Sequence, residues 1–302
     1  MTPVIPHITV CVCTRKRQVF LKRLLDALGA LETEGILIYS IVVVDNDAEQ
    51  SARLVVKEFS ETSSVSIKYS VVPQQNIALA RNQALQDATG DYIAFIDDDE
   101  FPEKNWLLAL ISACKTFQAD GVLGPVVPHF EQVPPEWILR GKFCDRPTHK
   151  TGFVIDCKEG RTGNVLFRRG ILAGVQEPFR REFGSGGEDR DFFFRMIELG
   201  RVFVWCNEAV VYESVPPARW TRSFMLRRAL LRGQVAAVNP AFSLRDLAKS
   251  IVAIPAYVVL LPFMTLLGHH MLMKYLVKTC DHLGRVLSLI GIKVIREKYV
   301  ME

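Results

Sequence analysis

A chain of 302 residues with 49% apolar side chains can build one large or two modest cores, which excludes a disordered polypeptide. The net charge of +4 is unevenly spread: residues 215–302 hold thirteen Lys/Arg against four Asp/Glu, net +9, leaving −5 for the first 214 residues. An acidic front and a basic, apolar back predict two tasks, with an anionic surface as partner of the back.

His7 to Cys13 reads as a first strand, followed by Thr14-Arg-Lys-Arg17 and a helical pattern with Phe20, Leu21, Leu24, Leu25 and Leu28 on one face. Ile38 to Asp45 is a second strand ending in Asp45-Asn46-Asp47. A helix carrying Leu54, Val55 and Phe59 comes next, then a strand over 66–72 and a helix over 75–85. The apolar run from Asp91 to Ile96 then closes on Asp97-Asp98-Asp99-Glu100. Alternating strands and helices imply a mostly parallel sheet covered on both faces, with Thr14, Asp45 and Asp97 on one rim. That rim is where open α/β sheets take ligands. Four adjacent carboxylates there call for a cation, and oxygen-only ligands suit Mg²⁺ or Mn²⁺. The alternative is an acidic turn that caps the helix starting near Trp106.

Residues 121–168 supply strand-like runs (GVLGPVV, TGFVIDC, NVLFRR) between proline-rich loops. Trp137, after Pro134-Pro135, reads either as a stacking platform or as a loop aromatic that plugs the edge of the core. The stretch from Phe183 to Gly187 turns into a helix that begins Glu188-Asp189-Arg190-Asp191. Acids there are good capping chemistry whatever else they do. A strand over Val202–Tyr212 closes the folded unit near Val215.

The back of the chain starts with a basic amphipathic helix over Arg219–Arg232, suited to an anionic membrane surface rather than to nucleic acid. Ile251 to Leu267 is seventeen residues without a charge, broken by Pro255 and Pro262. That is short of a span and predicts a re-entrant or interfacial hairpin, with a true span or a buried helix as alternatives. Basic residues on both sides, Arg245, Lys249, Lys274 and Lys278, fit an approach from the cytoplasmic side. Seven cysteines without CxxC spacing argue for reduced thiols, and six histidines without ligand spacing argue against a histidine metal site. No GxGxxG or Walker pattern occurs, and the N-terminus predicts no signal peptide.

Six pieces in order, VCVCTRKR, IVVVDND, NIALARN, AFIDDDE, RTGNVLFRR and GGEDRDFFFRM, make residues 7–215 resemble a family 2 glycosyltransferase with a GT-A fold. AFIDDDEFPEKNWL, VLGPVVP and WCNEAVVYESVPPAR are especially similar to the rhizobial glucosyltransferases of succinoglycan-type exopolysaccharide. The resemblance implies a catalytic domain over 1–215, with a nucleotide-sugar half to about residue 120 and an acceptor half from 121. A basic, apolar membrane-association region over 216–302 follows. It implies Thr14, Arg17, Asp45, Asp47, Arg81, Asp97 and Asp98 as nucleotide-sugar contacts. Asp99 and Asp97 would hold Mn²⁺ or Mg²⁺, the register within the triple Asp being open by one residue. Asp189 would be the base, with Glu188 as its rival, and Trp137, Asn164, Arg219 and Trp220 would face the acceptor. Inverting transfer of one hexose from a nucleotide-sugar donor, with UDP-glucose expected, to a polyprenyl-diphosphate-linked oligosaccharide is implied, at the cytoplasmic face of the bacterial inner membrane alongside other polysaccharide-biosynthesis proteins. Processive members carry Gln-x-x-Arg-Trp; here Pro216-Pro-Ala-Arg219-Trp220 has proline for glutamine, which favours single-sugar transfer. The alternatives are a sugar-phosphate nucleotidyltransferase, for which Thr14-Arg-Lys-Arg-Gln lacks the glycines of a phosphate loop, and a non-catalytic glycan-binding or scaffold protein.

Overall fold

The computed structural model describes residues 5–157, 159–184, 186–237, 242–292 and 294. The first four residues, where the signal-peptide reading begins, and the end of the basic region from residue 295 lie outside them, as does Ser185 of the glycine turn. The strands are β1 (His7–Thr14), β2 (Ile38–Asp45), β3 (Ile67–Val71), β4 (Tyr92–Phe95), β5 (Glu100–Pro102), β6 (Gly121–Leu123), β7 (Val126–His129), β8 (Val165–Arg168), β9 (Phe203–Trp205) and β10 (Val211–Ser214). The α-helices are α1 (Gln18–Gly29), α2 (Arg53–Thr62), α3 (Ile77–Asp87), α4 (Trp106–Thr116), α5 (Glu136–Gly141), α6 (Glu188–Glu198), α7 (Arg222–Ala237), α8 (Leu244–Leu266) and α9 (His269–Leu289). The chain divides into two compact units, one of Met1–His129 with Arg146–Ser214, the other of Phe130–Asp145 with Val215–Glu302. Residues 130–145, including Trp137, therefore group with the C-terminal helices and not with the rest of the expected acceptor half.

The first unit is built on a seven-stranded sheet in the order β3-β2-β1-β4-β8-β6-β9. β1 runs parallel to β2 and β4, and β8 runs antiparallel to β4 and β6. Side chains alternate across a strand, so Ile8, Val10 and Val12 enter one core layer with Leu21, Leu24, Leu25 and Leu28 of α1, while Cys11 enters the other. In that second layer Ala78, Ala80 and Ala84 let α3 lie close to the sheet, beside Phe167, Phe192 and Phe193. The mixed α/β class with a parallel half is as expected.

Three details differ from expectation. On α2 the buried residues are Val56 and Phe59, whereas Leu54 is 78% exposed. The run 202–212 is two strands: β9 joins the large sheet, and β10 joins a three-stranded sheet in the order β5-β10-β7. TGFVIDC makes only an isolated bridge, Val154 to Val204, because Gly152 turns the chain at φ +88°.

In the second unit α8 and α9 form an antiparallel hairpin about Leu267-Gly268. Ser250 meets His282 (3.0 Å) and Tyr257 meets Tyr275, pairs symmetric about that turn. A capping box of Ser243 and Asp246 starts α8, which continues through Pro255 and Pro262. By length and composition α8 could cross a membrane, and its surface is largely exposed. The predicted helix over 219–232 is instead a 3-10 turn at Pro217–Trp220 followed by α7.

Candidate active site

The parallel register sets the rim. Thr14 and Asp45 are paired at the ends of β1 and β2, and Phe95 lies opposite Cys11, so the chain leaves β4 into Asp97 at the same edge. Thr14 Oγ1 donates to Asp98 Oδ2 (2.8 Å), and Arg17 Nη1 donates to Asp98 Oδ1 (2.9 Å) and Asp99 Oδ2 (3.4 Å). Asp98 is therefore held on both oxygens. Burial, resisted by Arg17 and reinforced by Asp99, still pushes its pKa up to about 6.

Asp45 is fully buried. Its Oδ2 accepts from Ala52 N (2.7 Å) and Tyr69 Oη (2.9 Å), Oδ1 has no partner, and burial raises its pKa. Asp47 is also buried, with Lys16 Nζ at 4.0 Å and Oδ2 unpartnered. Two inward carboxylates with a spare oxygen each suit a ligand that brings hydroxyl or N–H donors. Between them Asn46 does structural work that its place in the motif did not reveal. Its Nδ2 donates to the carbonyls of Val72 (2.8 Å) and Gln74 (2.6 Å), and its Oδ1 accepts from Asn76 N (2.9 Å). Asn76 in turn caps α3 through Leu79 N (3.1 Å), which fixes Arg81 one turn on.

Arg81 is the hub. Buried, it donates from Nη1 to Glu188 at the head of α6, and its Nη2 lies 3.6 Å from Asp97 Oδ1. Gly187, at φ +95°, makes the turn into α6. Glu188 is buried and occupied by Arg81, although burial, with Asp189 beside it, raises its pKa to about 7 against that pull. Asp189 is half-buried, and its Oδ1 accepts from the adjacent Arg190 N (2.7 Å). The next acid, Asp191, is clamped by Arg180 and Arg195 and is structural.

Asp97, with 44% of its side chain exposed, is the open carboxylate of the run. Glu100, quoted in the motif without a role, is buried beside it. Its Oε2 accepts from Asp97 N (3.2 Å) and its Oε1 has no partner. Burial first, then Asp97, raises the Glu100 pKa well above the carboxylate range. Both acids crowd the backbone of Gly163, where a Cβ would lie 2.8 Å from Glu100 Oε1 and 3.0 Å from Asp97 Oδ2. Across the small sheet Glu100 pairs with Glu213, which takes Arg146. Sequence reading missed Glu213 and Arg146, since nothing local marks residues joined across 67 positions.

Among the described residues no three acid, His or Cys groups are gathered as a ready-made metal cage. The residues fit a divalent ion of another kind, held by one or two carboxylates and completed by ligand phosphates. The spare oxygens and excess negative charge of Asp97 to Glu100 are the chemistry that such an ion would neutralise.

Of the four expected acceptor residues, Asn164 belongs to the first unit and Trp137, Arg219 and Trp220 to the second. Asn164 is fully buried: Oδ1 accepts from Trp106 Nε1 (2.8 Å), and Nδ2 donates to the carbonyls of Pro125 (2.8 Å) and Ala209 (2.7 Å). Its amide is committed to the scaffold. Trp137 lies in the second unit, where the edges of Phe143 and His269 meet its ring at 5.3 Å, the core-edge alternative. Arg219 and Trp220 are buried in the same unit, Trp220 against Phe130.

Four likenesses bear on this arrangement. The family model described as "Glycosyl transferase family 2" matches residues 9–174. The succinoglycan biosynthesis protein ExoM of Rhizobium meliloti (strain 1021) is 37% identical over 232 residues, 76% of this chain and 73% of that protein. The mannosyltransferase PcManGT from Pyrobaculum calidifontis, solved with GDP-Man and Mn²⁺, superposes with a TM-score of 0.62 at 18% identity, covering 96% of this chain and 89% of that one. Residues 1–349 of S. aureus TarS, solved with UDP-GlcNAc, give 0.56 at 15% identity, covering 96% and 93%. The fold is thus GT-A, and the chain belongs to glycosyl transferase family 2 and is a glycosyltransferase.

Proposed function

We propose that the enzyme transfers one hexose from a nucleotide-sugar donor, with UDP-glucose the expected one, to a polyprenyl-diphosphate-linked oligosaccharide in the assembly of a succinoglycan-type polysaccharide. The observation that carries the reading is Arg81, which gathers the acid run at Asp97 and the acids at the head of α6 around one guanidinium. Donor-side and acceptor-side chemistry need those two groups together.

On the donor side, Asp45 and Asp47 offer acceptor oxygens to base and ribose, while Thr14 and Arg17 orient Asp98. Asp97 and Asp99 would hold Mn²⁺ or Mg²⁺ against the diphosphate, with the buried Glu100 behind them. A divalent ion there supplies Lewis-acid stabilisation of the leaving diphosphate. On the acceptor side, Asp189 takes the hydroxyl proton as the oxygen attacks C1; the C1–O bond to the diphosphate breaks and inversion follows. Glu188 is the poorer base because Arg81 already holds it. The proline at 216 in place of glutamine supports a single transfer. The likeness to a succinoglycan biosynthesis protein supports the polymer, and the exposed apolar α8 with the basic α7 supports work at the cytoplasmic face of the inner membrane.

The test is transfer from a panel of radiolabelled nucleotide sugars to a bacterial lipid extract, with Mn²⁺ or with chelator. Metal-dependent label in the lipid fraction from one donor is expected. No labelled lipid from any donor, using protein that binds UDP, would remove the acceptor assignment.

A further inference from the structure

Arg17, Arg81 and Arg146 each face a carboxylate, but Arg161 has no ion pair among the described residues. Its Nη2 makes a long hydrogen bond to the carbonyl of Gly124 (3.3 Å), and its Nε is buried without a partner among the described residues. The guanidinium lies over the Trp205 ring, 5.4 Å from the centroid. Thr162, the next residue, is 1% exposed, and its Oγ1 is unpartnered as well. Glu100, Glu159 and Glu213 act on Arg161 only at range; Glu159 accepts from His149 Nε2 (2.8 Å), and Glu213 is taken by Arg146. Burial, with the cation of Arg146 adding to it, lowers the Arg161 pKa to about 10. A cation kept under such pressure is costly unless an anion answers it.

Position says on which side that anion would lie. Gly124 follows β6 and Trp205 ends β9, at one end of the large sheet. Asp45 and Asp47, the nucleotide-side acids, follow β2 toward the other end, and Asp97 lies between. We propose that Arg161, with Arg146 beside it and the Thr162 hydroxyl, forms a phosphoryl-binding site on the acceptor side of the centre, distinct from the donor's diphosphate. This rests on the reading of the rim as the nucleotide site. A guanidinium fork and a hydroxyl are the groups that bind a phosphoryl oxyanion. The diphosphate of a lipid-linked acceptor and free pyrophosphate share that chemistry.

The experiment is calorimetric titration of the full chain in detergent, saturated first with UDP and Mn²⁺. Farnesyl diphosphate is then added in one arm and inorganic pyrophosphate in another, with Trp fluorescence recorded in parallel. Binding is expected in the wild type, farnesyl diphosphate being the tighter ligand if the source is a lipid. Arg161→Met should weaken it about 10- to 100-fold while leaving UDP affinity unchanged. Arg161→Lys should weaken it less, and a thermal melt checks that each variant is folded. A merely structural Arg161 would lower the melting temperature and leave the anion affinity alone. Equal farnesyl diphosphate and pyrophosphate affinity in folded wild type and Arg161→Met overturns the proposal, as does a wild type that binds UDP and neither anion. A wild type that does not bind UDP at all overturns the nucleotide reading, and this one with it.

Discussion

Arg81 donates from Nη1 to the carboxylate of Glu188, 107 positions further along the chain, and both side chains are buried. The contact ties the middle of the sheet to the start of α6, so α6 cannot shift without breaking a buried ion pair. Replacing Arg81 by Met removes the cation that holds Glu188 ionised, so the buried carboxyl takes up a proton and loses its partner, and Arg81→Met should cost about 1–3 kcal/mol of stability. Chemical denaturation followed by circular dichroism measures it. A loss under about 1 kcal/mol, of the size found for exposed pairs, would mean that the contact does not hold the site together.

The same contact separates two adjacent acids. Asp189 is half-buried and its carboxylate accepts from its own neighbour, so Asp189→Asn should leave stability within about 0.5 kcal/mol. It should lower kcat by about 10²- to 10⁴-fold, the range of a lost general base. Glu188→Gln keeps a hydrogen-bonding partner for Arg81 and should lose far less activity. If the ranking of the two variants is reversed, with both folded, Glu188 is the base.

Glu188 also makes a prediction about pH. Its carboxyl is raised in the folded state to about 7, chiefly by burial, from an ordinary 4.5. A group that holds its proton more tightly when folded stabilises the fold while protonated, and that contribution declines as pH rises from the unfolded value toward the folded one. Between about pH 4.5 and 7 this residue should reduce stability by up to about 1.4 kcal/mol per pH unit. Glu188→Gln should remove that component of the slope, read as melting temperature against pH for the two proteins. Identical slopes would place the titration elsewhere.

What could be read from the sequence follows the reach of each interaction. The strands and their common rim were legible because apolar runs of fixed length ending in Thr14, Asp45 and Asp97 are local signals. So were the glycine turn and the acids at Glu188 and Asp189. The bonds of Asn164 are not legible in this way: it lies inside a recognisable motif, but its amide is consumed by Trp106, Pro125 and Ala209, which only the folded chain brings together. Leu54 shows a narrower limit. On a short helix a shift of the buried stripe by two residues, to Val56, leaves the apolar pattern looking much the same.

In the second unit α7 and α9 cross at two glycines. A Cβ on Gly284 would lie 2.2 Å from the carbonyl oxygen of Leu230, and one on Gly233 would lie 2.1 Å from that of Asp281. These obstacles are backbone atoms that cannot swing aside, unlike the far end of a side chain. Gly284→Leu should therefore force the helices apart and destabilise this unit by at least the 1–3 kcal/mol or so of an overpacked core. Hydrogen exchange resolved by peptide is the measurement. Faster exchange is expected over 222–237 and 269–289, with 38–45 unchanged; uniform protection would show that the crossing has slack.

On α8, Val252, Val259, Phe263 and Leu266 are exposed and recur at helical spacing, so they form one apolar stripe. The hairpin places α9, with Lys278 and His282, against the other side of α8. A helix with one apolar and one polar neighbourhood lies in a bilayer interface more cheaply than across it, because a span would carry the α9 charges into hydrocarbon. Burying a side chain of this size is worth about 1.5–3 kcal/mol, so Val259→Asp with Phe263→Asp should cut partitioning onto anionic vesicles by well over tenfold. High salt alone should release less protein than the double substitution, since the stripe acts through apolar area and salt screens only the basic residues. UDP affinity should stay at the wild-type value, because neither residue belongs to the unit that carries Asp45 and Asp47. Vesicle binding that survives both substitutions and vanishes in salt would assign the membrane contact to the arginines of α7 instead.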